Sequence, residues 1–175
     1  MTLEEFLSAR GSRIGFGSWA IGGPYWAGEQ PRGWGEVDDA VSISAIDAAY
    51  DAGMRFFDTA NVYGAGHSEE IVGQALGNRD DVIISSKFGN AIVDPVTKQV
   101  TTPDQSPAFT IKSVEDSLRR LKRERIDILF FHLNMYDATE AEPLFDALET
   151  LRQDGKIGIY GWSTDSAERA AHFAA

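Results

Sequence analysis

Cysteine is missing altogether from this 175-residue sequence, which excludes disulfides, thiol catalysis and thiolate metal sites. Positive charge is scarce: 16 Lys and Arg stand against 27 Asp and Glu. The resulting formal charge of −11 leaves no surplus for tracking phosphates, which argues against a nucleic-acid partner. No run approaches the roughly 20 apolar residues that span a bilayer. The opening MTLEEFLSARGSR is acidic where a secretory leader is basic. A cytoplasmic protein without a membrane partner is the expectation. Dinucleotide and phosphate fingerprints are lacking too, because the glycines of residues 15–23 follow neither a GxGxxG nor a P-loop spacing. No metal site is expected.

What is present is a globular composition, 43% hydrophobic and 25% charged, with short apolar runs alternating with amphipathic stretches. The rhythm reads as five β/α units in one domain over residues 1–175, an α/β fold with a parallel sheet. Strands are predicted at Ile14–Ala20, Arg55–Thr59, Val82–Ser86, Ile126–Phe131 and Ile157–Ser163. Helical faces follow from Ile43, Ile46 and Tyr50, from Ile71, Val72, Ala75 and Leu76, from Ile111, Val114, Leu118 and Leu121, and from Leu144, Phe145, Leu148 and Leu151. A fifth helix is expected from about Ser166. Thr110 is read as the cap of the third helix, Thr139 with Glu142 as a capping box, and Gly53, Gly77 and Gly155 as left-handed helix ends.

Two strand-to-helix connections run long, residues 21–38 and 88–109. Long loops at the C-terminal ends of parallel strands mark the functional side of such folds. The first carries Tyr25, Trp26 and Trp34, which suit either an ordinary packed loop or a substrate-pocket wall.

Four ionisable residues fall at those strand ends: Asp58 and Tyr63 after the second strand, Lys87 after the third and His132 after the fourth. Singly, each has an ordinary reading as loop cap, packed aromatic, strand-end cation or core histidine. Jointly they suit proton donation to a carbonyl oxygen as hydride reaches its carbon. Tyr63 would donate, Lys87 would lower the phenol's pKa, Asp58 would keep Lys87 charged, and His132 would orient the substrate oxygen.

FFDTANVYG (56–64), SKFG (86–89) and IDILFFH (126–132) resemble the aspartate–tyrosine, lysine and histidine signatures of the aldo-keto reductases. The resemblance runs over nearly the whole chain from Ile14. It implies a TIM-barrel-type (β/α) fold, here partial with about five units, and NADPH-dependent reduction of a small aldehyde or ketone. GFGSW (15–19) is similar to the family's first strand, which implies Gly17 and Ser18 at the cofactor and Trp19, with Trp26, at the substrate. GHSEEIVGQAL (66–76) resembles the helix after the tyrosine and gives His67 a structural role. GWSTDS (161–166) is similar to the motif that holds the nicotinamide carboxamide. Ser163 matches it, and Thr164 stands where the family has asparagine. Asp58 also belongs to the implied cofactor contacts.

The full barrel usually needs about 250 residues. The expectation is therefore a truncated or partial chain with weak cofactor affinity, whose exposed strand edges call for self-association or a missing C-terminal half. Two other readings stand beside this one. The chain can be a non-catalytic nucleotide-sensing or protein-binding subunit on the same fold, or an open flavodoxin-like sheet in which Asp58 and Lys87 suggest a response regulator.

Overall fold

The computed structural model describes residues 14–103 and 105–172. Five short strands form one parallel sheet: β1 (Gly15–Gly17), β4 (Phe56–Asp58), β5 (Ile83–Phe88), β8 (Ile126–Phe131) and β9 (Ile157–Trp162). They lie side by side in chain order, with Gly17 opposite Asp58, Asp58 opposite Ser85, Lys87 opposite Phe130 and Phe131 opposite Trp162. A doubly wound sheet reverses its strand order at a switch point, whereas a barrel does not. The sequential order therefore sets aside the flavodoxin-like reading and gives a partial (β/α) barrel.

Alternation along the strands divides the apolar residues between two faces. Phe57, Ile84, Leu129 and Phe131 pack with Ile71, Leu76, Val114, Leu121, Leu144 and Leu148 of the helices in the main core. Ile83 and Ile128 turn the other way and meet Phe56 and Phe130. Each fully buried Leu, Ile or Phe contributes about 1.5–3 kcal/mol, so the larger face carries the fold. The covering helices are α1 (Asp39–Asp51), α2 (His67–Leu76), α3 (Pro107–Leu121), a short α4 (Ala138–Ala141), α5 (Pro143–Gln153) and α6 (Ala167–His172). Among the described residues no helix is long and apolar enough to cross a membrane.

Three end signals differ from expectation. Ser106, with Pro107 behind it, caps α3 by accepting from the Phe109 N–H, whereas the Thr110 hydroxyl is buried without a partner. Pro at the first helical position has no N–H to satisfy and its φ is preset for a helix, so the start shifts to Ser106. Asp137 caps α4 through the N–H groups of Thr139 and Glu140, displacing the Thr139–Glu142 box because its carboxylate accepts both. Gly77 is right-handed at φ −55°, while Gly53 and Gly155 are left-handed at 96° and 76°.

The long connections are not irregular. They contribute β2 (Tyr25–Ala27), β3 (Gln30–Arg32), β6 (Ala91–Asp94) and β7 (Gln99–Thr101), which join as a second sheet in the order β3-β2-β7-β6. This small sheet links the loops after β1 and β5.

Candidate active site

The sheet brings the four strand-end residues together. Strand alternation points Ser85 and Lys87 to the same side of β5, and both reach Asp58. Lys87 Nζ donates to Asp58 Oδ2 at 2.7 Å and to the Thr59 carbonyl at 2.7 Å, while Ser85 Oγ donates to Asp58 Oδ1 at 2.6 Å. Lys87 Nζ also lies 4.9 Å from the centre of the Tyr63 ring. The His132 ring stands edge-on to Tyr63 at 6.3 Å, and Trp19 stacks on Tyr63 at 5.9 Å with 24° between planes.

Tyr63 is carried by a loop that crosses the loop after β1. His67 ties the two together, its Nδ1 at 3.1 Å from the Gly22 carbonyl and its Nε2 at 3.0 Å from Asp39. Ser18 has no exposed surface, and its hydroxyl donates to the Asp58 carbonyl while sharing a hydrogen bond with Ser68. That side chain is committed inside the fold. Thr164 is likewise occupied: its hydroxyl lies 2.9 Å from Asn134 Oδ1 and accepts from the Ser166 N–H. Gly17, by contrast, faces open space, since a Cβ there would meet nothing within 4 Å.

Trp26 sits in the small sheet, paired with Pro31 and Gln99. Trp34 is the loop tryptophan that touches Trp19, at 5.6 Å and 78°. Sequence reasoning gave Ser85 and Asn134 no role and Trp34 no particular one. The i, i+2 spacing of Ser85 to Lys87 was a usable signal, whereas nothing local distinguishes Trp34 from Trp26.

The electrostatics depart from expectation at the phenol. Burial, with the Asp58 charge second, pushes the Tyr63 hydroxyl up to about 12. Lys87 was expected to pull it down, but its ammonium is paired with Asp58 at 2.7 Å, so little net positive field reaches the ring. Burial pulls Lys87 below its ordinary value, partly offset by Asp58 and Glu69. Burial, and then Lys87, pull His132 down to about 4, so its ring is neutral at pH 7.

That last shift has a stability consequence. An unfolded histidine titrates near 6.5 and the folded one near 4, so the unfolded state binds the extra proton between those values. Stability from this group is complete above pH 6.5 and is lost as pH falls toward 4, the loss amounting to about 3 kcal/mol once both states are protonated. His132→Gln is expected to flatten this part of the acid profile. Urea midpoints at pH 7 and pH 4 in both proteins measure it, and an unchanged difference between the two pH values would refute the assignment.

The comparisons agree with the topology. The Aldo/keto reductase family model matches residues 13–173. Aldo-keto reductase YhdN of Bacillus subtilis is 37% identical over 94% of this chain and 46% of its own length. An aryl-alcohol dehydrogenase [NADP(+)] of Phanerodontia chrysosporium is 34% identical over 89% of this chain and 41% of its own. The solved structure of glycerol dehydrogenase AKR11B4 from Gluconobacter oxydans superposes with a TM-score of 0.73 at 38% identity, covering 93% of this chain and 48% of that one. The chain thus spans about half the length of these relatives. Because the match runs almost from end to end of the described fold, and the strand order is that of a barrel, the chain belongs to the aldo/keto reductase family of oxidoreductases.

Proposed function

We propose that this protein reduces a small aldehyde or ketone with NADPH, Tyr63 being the proton donor. The observation that carries the reading is the packing of buried Lys87, ion-paired with half-buried Asp58, against the Tyr63 ring, with His132 edge-on to the same ring.

The chain's residues fit the nicotinamide end of such a cofactor at some points and not at others. Gly17 leaves room for a flat ring, and Ser163, half-buried on the neighbouring rim, can offer a hydroxyl. The hydroxyls of Ser18 and Thr164 are held by the protein itself. Gly17 and Ser163, with Asp58 at the rim, would therefore hold the group, which when bound supplies a hydride.

Within the protein, Tyr63 keeps its proton at every ordinary pH because its hydroxyl titrates near 12. A donor must hold its proton, and an alkoxide is a stronger base than a phenolate, so transfer to a newly reduced oxygen runs downhill. Lys87 is fixed by Asp58 and the Thr59 carbonyl, so its charge stays against the ring without wandering into solvent. His132 Nδ1 is buried without a hydrogen-bond partner. A bare acceptor costs less there than a bare donor, so the proton belongs on Nε2. That N–H can hold the substrate oxygen beside the phenol.

The outer strands β1 and β9 each pair on one side only among the described residues. Unpaired edges of this kind support covering by a second copy or by further β/α units. The test of function is incubation with NADPH, and separately with NADH, plus benzaldehyde. Cofactor consumption with stoichiometric benzyl alcohol supports the proposal. Tight NADPH binding without alcohol would favour a nucleotide-sensing subunit.

A further inference from the structure

We infer that Ser85 is a positioning residue of the acid–base site: its hydroxyl pins Asp58, so that the carboxylate's other oxygen holds the Lys87 ammonium against the Tyr63 ring. The inference rests on the reading of Asp58, Lys87 and Tyr63 given above and adds a further member to their chain of contacts. Ser85 Oγ donates to Asp58 Oδ1 at 2.6 Å, and Asp58 Oδ2 accepts from Lys87 Nζ at 2.7 Å. One carboxylate therefore spans two partners from the same strand.

The register makes this possible. Ser85 lies directly opposite Asp58 on β4 and opposite Ile128 on β8, and Lys87 follows it by two residues on the same side of β5. Ile83, two residues earlier, packs with Ile128, Phe56 and Phe130. Ser85 stands where this apolar layer gives way to the polar rim, and it has no exposed surface. A buried hydroxyl that gave up its acceptor would bear the full cost of desolvation, so Oγ stays on Oδ1. The 2.6 Å separation is that of a hydroxyl bonded to an ionised carboxylate.

Asp58 needs such a partner. Its side chain is 31% exposed, and the last torsion of an aspartate is broad and two-fold, so the residue by itself does not settle where its oxygens point. Lysine brings no rigidity either, because its ammonium sits on a flexible four-carbon stem. Ser85, short, buried and carried on a strand, is the rigid member. Its hold on Oδ1 fixes the carboxylate plane, Oδ2 then meets Nζ, and the Thr59 carbonyl accepts a second ammonium proton at 2.7 Å.

Removing the hydroxyl acts on Lys87 in two opposed ways. It leaves more charge on the carboxylate, and it frees the carboxylate to turn toward water. Polarisation of one hydrogen bond by the next is about 10–30% of its strength, whereas turning away loses the whole bond, so the second effect wins. Burial is the largest influence on Lys87 and favours its neutral form, and Asp58 leads the groups that oppose it. Without a fixed Asp58, Lys87 gives up its proton at lower pH.

The test is an NMR titration of the lysine Cε signals, without cofactor, in the unaltered protein, Ser85→Ala and Ser85→Thr, the Lys87 signal being assigned by its absence from Lys87→Met. Ser85→Ala is expected to lower the Lys87 midpoint by about one pH unit, and Ser85→Thr, which keeps the hydroxyl, to restore it. Turnover of benzaldehyde with NADPH should fall about tenfold in Ser85→Ala, its alkaline limb moving with the NMR midpoint and KM staying within about twofold. A hydroxyl with a merely structural role would lower the urea midpoint and leave the Lys87 titration where it was. An unmoved Lys87 midpoint in Ser85→Ala, or a shifted one in a Ser85→Thr protein of normal urea stability, would overturn the inference. The NMR midpoint is read without turnover. A Ser85-dependent midpoint in a protein that does not reduce benzaldehyde sinks the reductase reading and leaves the hold of Ser85 on Asp58 and Lys87 standing. Tyr63-dependent reduction with an unmoved midpoint sinks the Ser85 inference alone.

Discussion

Tyr63→Phe is expected to lower the turnover of benzaldehyde by about a hundred- to ten-thousand-fold, the contribution of a positioned general acid. Phenylalanine retains the ring that stacks on Trp19 and lies against Lys87, so the fold and these ring contacts should survive. Only the proton is withdrawn. Steady-state kcat with NADPH measures the change, and near-normal turnover in the variant would remove Tyr63 from the mechanism. The pH profile gives a second check. Because Tyr63 titrates near 12 and burial pulls Lys87 below 10.5, lysine loses its proton first as pH rises. The alkaline fall in kcat should therefore lie below the ordinary lysine value and belong to Lys87.

The convergence of Asp58, Tyr63, Lys87 and His132 was legible because parallel strands in β/α units put their C-terminal ends on one rim, whatever the spacing in sequence. Strands β5 and β8 were legible for a related reason: Ile83, Ile84, Ile126, Ile128 and their neighbours are apolar on both faces, as a covered parallel strand requires. The first strand was expected over Ile14–Ala20 but spans only Gly15–Gly17, because the chain turns into a short 3-10 helix at Ala20–Gly22. The second sheet was not legible. Three of its four strands have three residues each, one of them the exposed Gln30–Arg32, so neither alternation nor apolar content announces them. Their pairing follows from the distant contact of Trp26 with Gln99, which no local pattern encodes. Nor did residue type reveal that the hydroxyls of Ser18 and Thr164 are committed, since that depends on Ser68 and Asn134 arriving from other segments. The rise of the Tyr63 phenol was hidden in the same way. A lysine beside a tyrosine lowers its pKa only while the lysine's field is unbalanced, and Asp58 balances it.

Gly64→Ala is expected to destabilise the protein by about 3–5 kcal/mol, because two costs coincide at one residue. Gly64 has φ 61°, and a Cβ built on it would lie 1.8 Å from the Gly22 carbonyl oxygen and 2.6 Å from its carbonyl carbon. The obstruction is backbone on both sides. A Cβ on Gly22 would in turn lie 2.7 Å from the carbonyl carbon of Tyr63, so neither loop can yield without moving the Tyr63 phenol. Gly28→Ala separates the two costs, since Gly28 shares the left-handed conformation at φ 62° but a Cβ there meets nothing within 4 Å. It should lose only about 1 kcal/mol, the conformational part. Urea unfolding at constant m reads both variants, and whatever fraction of Gly64→Ala stays folded should show Trp19 fluorescence altered by the displaced Tyr63 ring. Were the two substitutions equally mild, the crossing of the first and second loops would be loose. The placement of Tyr63 beside Trp19 would then have to come from side-chain packing instead of from the chain itself.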